Sequence, residues 1–133
     1  DQELVIPNLV FRIEKDESEP KWMNVLLASS EPGPLGARVM ISSTERAASW
    51  AELKSRSIDL SSGSKLDLRG NGIFTSTHAY QAKLISIQVT AFDDATVSGT
   101  LKGQFYKFRI DLPTFKAEVV DGDGSFVAKR LEE

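Results

Sequence analysis

Between Lys83 and Ile110, apolar and polar residues alternate along two arms that meet at Asp93-Asp94. In the first arm Ile85, Ile87, Val89 and Ala91 alternate with Ser86, Gln88 and Thr90. A period of two sets the aliphatic side chains on one face of a strand and the polar ones on the other, as in a half-buried β-strand. In the second arm Val97, Gly99, Leu101, Gly103 and Phe105 share one parity, and the apolar parity then passes to Tyr106, Phe108 and Ile110. A strand changes face only by gaining a residue, so this switch predicts a β-bulge or bend within Gln104 to Lys107. Gly99 and Gly103 predict places where another backbone or a large ring packs close to the strand. The connection Phe92-Asp93-Asp94-Ala95 has turn residues but no Gly, which fits a type I-based loop better than a two-residue type I′ turn.

The rest of the chain repeats the pattern in shorter pieces. Leu4 to Lys15 reads as a strand with Leu9, Phe11 and Ile13 facing one way, and Pro7 sets its early part at a sheet edge or ahead of the strand proper. Asp16 to Pro20 is an acidic turn. Trp22 to Ala28 predicts a second strand with Val25 and Leu27, or Trp22 and Leu26, inward. Ser29 to Gly36 holds two prolines and two glycines and breaks it, and Ala37 to Ser42 returns as a short strand paired with the second. Ser42 followed by Glu45, or Thr44, offers the N-cap of the one predicted helix. Its apolar face of Ala47, Ala48, Trp50, Ala51 and Leu53 runs to Arg56 and packs on the sheets through Trp50.

From Ser57 the chain reads as β again. Ile58 and Leu60, then Leu66 and Leu68, flank a turn at Ser61-Ser62-Gly63-Ser64, and Gly70-Asn71-Gly72 marks another, because both residue types tolerate positive φ. Ile73 to Tyr80 suits a strand. Beyond Pro113, Phe115, Ala117 and Val119 predict a further strand, which Asp121-Gly122-Asp123-Gly124 turns into a last one at Phe126 to Ala128. Leu131-Glu132 has the composition of a cloning scar, and the last three residues carry no weight. The sum is a mainly β domain spanning residues 1–133, with about eight to ten strands and one short helix. An antiparallel β-sandwich is the preferred architecture, with a barrel as the alternative, because a long hairpin with one apolar face needs a second sheet to cover it.

Composition narrows the function. The chain has 133 residues, 41% hydrophobic and 26% charged, which is the make-up of a folded globular domain. A net charge of −3 lacks the basic field of a nucleic-acid binder, and Lys102, Lys107, Arg109 and Lys116 are spread along a solvated face. Without cysteine, neither disulfides nor a thiolate metal site can form. No apolar run approaches membrane-spanning length. The chain opens at Asp1 without Met, as a mature or a trimmed chain would.

Candidate chemistry is sparse. Asp121 and Asp123, with Ser125, alternate like the oxygen ligands of a calcium loop, but Phe126 stands where the loop glycine belongs and no bidentate acid follows at the right distance before the strand ends. A hairpin turn explains the same residues, and no metal or other cofactor is expected. His78 is the single histidine, and no G-x-S-x-G accompanies it, so a nucleophilic triad is not indicated. Asp93-Asp94 and the acids of Asp16 to Glu19 are turn residues, without the opposed placement that glycoside hydrolysis requires. Gly70-Asn71-Gly72 lacks the lysine and helix of a phosphate loop. The aromatic residues remain. Trp22, Trp50, Tyr80 and Tyr106 are the candidate ligand-binding positions, with Phe92 and Phe105, as a stacking platform for sugars or an anchor for a partner.

Ile87 to Phe105, with Asp93, Asp94, Val97, Gly99, Thr100 and Gly103, resembles the "strand, acidic turn, V-x-G-T-x-x-G" hairpin of small bacterial envelope lipoproteins of unassigned role. The resemblance implies an exported β-domain and brings no catalytic residue with it, and the lipid-attachment cysteine of such proteins is missing from this sequence. The expectation that follows is a non-enzymatic protein, periplasmic or associated with the outer membrane, that binds a protein or glycan at the cell envelope. It should show an exposed apolar or aromatic patch of roughly several hundred Å². A small hydrolase or isomerase with a pocket between its sheets, holding His78 or an acid, is the first alternative. A cytoplasmic accessory or immunity protein acting on a neighbour-encoded partner is the second.

Overall fold

The computed structural model describes residues 6, 8–15, 22–46, 50–54, 57–61, 71–111 and 116–132, with only the backbone at 15, 22–23, 44–46, 57, 59–61 and 132. In chain order its elements are strands β1 (Leu9–Lys15), β2 (Trp22–Ser29) and β3 (Arg38–Arg46), helix α1 (Trp50–Lys54), and strands β4 (Ser57–Ser61), β5 (Gly72–Phe74), β6 (His78–Phe92), β7 (Thr96–Arg109) and β8 (Glu118–Glu132). The expected turns at Asp16 to Pro20 and Ser62 to Ser64, the strand at Leu66 and Leu68, the early residues Leu4, Val5 and Pro7, and Phe115 lie outside the described residues.

The sheet closes on itself. Its order is β5-β3-β2-β1-β8-β7-β6, with β6 returning to β5, so seven strands form a barrel; β4 pairs with β6 further along the edge that β5 occupies. This corrects the two-sheet sandwich in favour of the barrel. The physical reason lies in the length and glycine content of the last strands. β6, β7 and β8 run 14 or 15 residues each, long enough to coil around the core instead of lying flat beneath a second sheet. The hairpin's apolar face is covered by the far wall of the same sheet. The ring closes where Lys129 to Glu132 of β8 pair in parallel with Val10 to Ile13 of β1. Leu131 and Glu132 are thus ladder residues that help close the barrel.

The hairpin is present as expected, but its irregularities are elsewhere. β7 stays in register with β8 from Thr96 to Lys107, without interruption at Gln104 to Lys107. The extra residues belong to β6, where register shifts fall between Ala82 and Leu84 and between Val89 and Ala91, at Lys83 and Thr90. Each bulge flips the parity of β6. The second turns Ala91 outward, against expectation, and lets Phe92 pack on the core instead. The loop that follows is closed by the Asp93 carboxylate, which accepts the amides of Ala95 at 2.7 Å and Thr96 at 2.8 Å. The glycines behave as predicted. A Cβ on Gly99 would meet the Gln88 carbonyl and stand 2.7 Å from the Phe126 ring, and one on Gly103 would meet the Leu84 carbonyl.

Three further expectations are corrected. Ile73 to Tyr80 is a tight hairpin, β5 to β6, in which Thr75 N–H donates to the His78 carbonyl at 2.8 Å and the Thr75 hydroxyl oxygen accepts the His78 amide at 3.0 Å. Thr and Ser at its centre satisfy the turn locally, which overrides their strand propensity. The short helix is present as α1, with Ala47, Ala48 and Arg56 outside the described residues, but it cannot start at Ser42 or Thr44, because β3 continues through Ser42 to Arg46 along β2. Ser42, read as a cap, is instead tied to Asn71, whose side-chain oxygen accepts its amide at 2.9 Å. Asp121 to Gly124 is not a turn; β8 passes straight through it.

The barrel interior is filled by one apolar cluster. Phe11 and Ile13 of β1, Val25 and Leu27 of β2, Val39 and Ile41 of β3, Ile85, Ile87 and Val89 of β6, Val97 and Phe105 of β7, and Phe126 and Ala128 of β8 are buried together. Phe11 stacks on Phe126 with ring centres 6.1 Å apart. The short helix adds Trp50 and Leu53 to this cluster, and Trp50 packs against Phe11 and Phe92 at 5.5 and 5.9 Å.

Candidate functional site

The register carries the inward and outward assignment across the wall from β3 to β8. Val39, Ile73 and Tyr80 are paired in sequence along one row and all pack on the core. The rows on either side of it therefore face outward. One outward row runs Arg38, Phe74, Ala79, Phe108; the other runs Met40, Gly72, Gln81, Tyr106, Val119. Met40 is 52% exposed, Val119 50% and Ile110, just past the end of β7, 53%. Phe74, Tyr106 and Phe108 are half-buried among them. Two cations border this apolar surface, with the Arg38 guanidinium 5.9 Å from the Phe74 ring centre and the Lys83 ammonium 5.9 Å from that of Tyr106. Lys83 reaches the Tyr106 ring from the bulge in β6.

Beside this surface, on the same outer wall, lies a groove of about 630 Å³ across β6, β7 and β8. Its rim carries Leu84, Ser86, Lys102, Gln104, Asp121 and Asp123, and its floor is Gly103 and Gly122, which oppose one another in the ladder. With no side chains on these glycines, the sheet can bend sharply there. The groove offers two carboxylates, an ammonium, an amide, a hydroxyl and a leucine to a ligand that approaches from outside.

The candidate aromatics do not gather in one place. Trp50 is only 6% exposed and is part of the core. Tyr80 faces inward near the end of the β6–β7 ladder, with the Lys107 ammonium 5.9 Å from its ring centre and the His78 ring at 6.4 Å. Tyr106 is on the outer surface just described. Trp22 opens β2, and its side chain lies outside the described part. Phe92 and Phe105 belong to the core and its border. Asp121 and Asp123 stand two residues apart on one outward face of a regular strand, an extended geometry unlike a calcium loop, and no group of three His, Cys, Asp or Glu suited to a metal occurs among the described residues.

His78 holds the Thr77 hydroxyl at 2.8 Å through Nδ1. Nearby, Arg109 makes a paired contact with Asp111 at 2.7 and 2.9 Å, which lowers the Asp111 carboxyl below its ordinary range through this hydrogen bonding. The hydrogen bond with Asp111 in turn raises Arg109. The barrel interior is occupied by apolar side chains, and the groove is outside it. Sequence reasoning missed Met40, Phe74, Phe108, Val119 and Ile110 as a shared surface. The signal is the parity switch at Tyr106, Phe108 and Ile110, which alternation alone explains equally well by a bulge.

Comparison with protein-family models, characterised proteins and solved structures finds no match. Among the described residues no helix is long and apolar enough to cross a membrane.

Proposed function

We propose that this chain is a non-enzymatic binding module of the bacterial cell envelope that holds a protein or glycan against the outer wall of β5 to β8. The observation that carries this reading is the outward apolar surface. Met40, Val119 and Ile110 are each at least half exposed beside Phe74, Tyr106 and Phe108, on a barrel whose interior already buries a separate apolar set. Such a surface costs solubility unless something covers it, and clustered exposed apolar groups with a charged border mark interaction sites. The adjoining groove supplies polar groups that would fix orientation. The envelope setting rests on the resemblance of the Ile87 to Phe105 hairpin. A filled interior favours binding on the outside over chemistry in an internal pocket.

The test is capture from envelope extract by immobilised protein, wild type against the Met40→Asp and Ile110→Asp variants, with protein and polysaccharide analysed separately. Wild type should retain a saturable component that both variants lose while melting normally. Equal retention by all three, or by none, would remove the outer wall from consideration.

A further inference from the structure

The structure assigns a second recognition element to β8, an open strand edge built to accept an extended, basic segment of a partner protein. β8 pairs with β7 over Glu118 to Lys129, but β1 takes its other edge only at Lys129 to Glu132. From Glu118 to Ala128 that second edge has no partner among the described residues. The direction of its backbone groups follows from one bond. Arg130 N–H donates to the Ala95 carbonyl of the loop leading into β7, so even-numbered residues of this regular strand point their amides and carbonyls at β7. The odd-numbered residues Val119, Asp121, Asp123, Ser125 and Val127 therefore aim theirs at the open edge.

Natural edges are usually blunted by lysine, proline or a bulge. Among the described residues this one has no bulge, lysine or proline, since the register is unbroken and no Lys, Arg or Pro occurs between Glu118 and Ala128; the charges that guard it are all acidic, Glu118, Asp121 and Asp123, and leave it open to a basic strand. An added strand would alternate its side chains between two environments. On the outer side they would meet Asp121 and Asp123, both exposed; Lys102 lies opposite Asp123 on the β7 side, away from the edge. On the inner side they would lie beside Gly122 and Gly124. A Cβ on Gly124 would have open space around it, and Gly122 borders the Phe105 ring. The complementary segment thus has Lys or Arg at alternate positions and apolar residues between them. A second copy of this chain fits poorly, because pairing two β8 edges about their centres brings these aspartates together.

This inference names a partner class for the binding reading. It depends on residues other than Met40 and Ile110, so the two can fail separately. The experiment uses a labelled nine-residue peptide alternating Lys and Val, its Glu-for-Lys counterpart, and the full chain, read by fluorescence anisotropy and by amide exchange. The Lys peptide should bind at least tenfold more tightly than the Glu peptide and slow exchange at Asp121, Asp123 and Ser125. The double variant Asp121→Asn/Asp123→Asn should weaken it about tenfold. Ser125→Pro should abolish binding while leaving the melting profile close to wild type, because it removes a donor that points away from β7. Equal binding of both peptides, protection confined to other strands, or binding that survives Ser125→Pro would overturn the proposal. So would a concentration-dependent dimer that Ser125→Pro dissociates, since it would assign the edge to a second copy.

Discussion

The guanidinium of Arg130 on β8 lies 4.7 Å from the centre of the Trp50 ring. It also lies 5.7 Å from the Phe92 ring centre and donates to the Asp93 carbonyl at 2.7 Å. One side chain thus connects the short helix, the end of β6 and the strand that closes the barrel. Cation–π contact and a charge-assisted hydrogen bond act together there. Arg130→Ala is expected to lower stability by about 1–3 kcal/mol in urea unfolding, and Arg130→Lys by less, because lysine keeps the charge but not the planar stack. Equal losses for both would show that the flat guanidinium is not what matters.

The glycines of β7 and β8 divide into two kinds, and the difference is measurable. Gly99 is pressed by the Gln88 carbonyl and the Phe126 ring, whereas Gly124 has no neighbour where a Cβ would go. Gly99→Ala should destabilise by about 1–3 kcal/mol, the usual range for forcing an extra carbon into packed surroundings. Gly124→Ala should be neutral or stabilising by up to about 1 kcal/mol, since alanine orders a strand better than glycine. Chemical denaturation of the two variants in parallel decides the matter, and a reversed order would mean the ring of Phe126 is not held against Gly99.

Asp93 gives the fold a pH dependence with a definite sign. Its carboxyl is lowered from the ordinary 3.8, first by the Ala95 amide, then by the Thr96 amide, against a small opposing effect of burial. A carboxylate whose folded pKa is depressed stabilises the fold fully above the unfolded value and loses that contribution as pH falls through the folded one. The stability advantage of wild type over Asp93→Asn should therefore hold steady from neutral pH down to about 5 and shrink below about 4. Thermal melts of both proteins across that range check it, and an advantage that persists unchanged at the acid end would contradict the assignment. Arg109 and Asp111 add a loss of the same sign, which is common to both proteins and cancels in the comparison.

Much of this fold was legible in the chain because period-two alternation is a direct image of a strand's two faces. Ile85, Ile87 and Val89, or Phe11 and Ile13, could be placed inward from the sequence alone, and their burial agrees. Barrel closure was not legible, because it depends on the four-residue parallel pairing of β8 with β1, between residues more than a hundred positions apart. The Asp-Gly pairs of β8 misled for a related reason. Asp121-Gly122-Asp123-Gly124 has the local chemistry of a turn, but pairing with Leu101 to Gln104 holds it extended. The candidate site was legible only indirectly. The parity switch in β7 is resolved by no bulge in that strand, so Tyr106 and Phe108 stand outside. An apolar residue on the wrong face was the mark of a surface.

Site-specific photo-crosslinking in the native host tests the central claim most directly, with the photoreactive residue at Met40 or Ile110 and, as a control, at the exposed Lys54 of α1. The account predicts a discrete adduct from Met40 and Ile110 and none from Lys54. Absence of adducts at the first two positions, or the same adduct from all three, would contradict a binding surface on the outer wall.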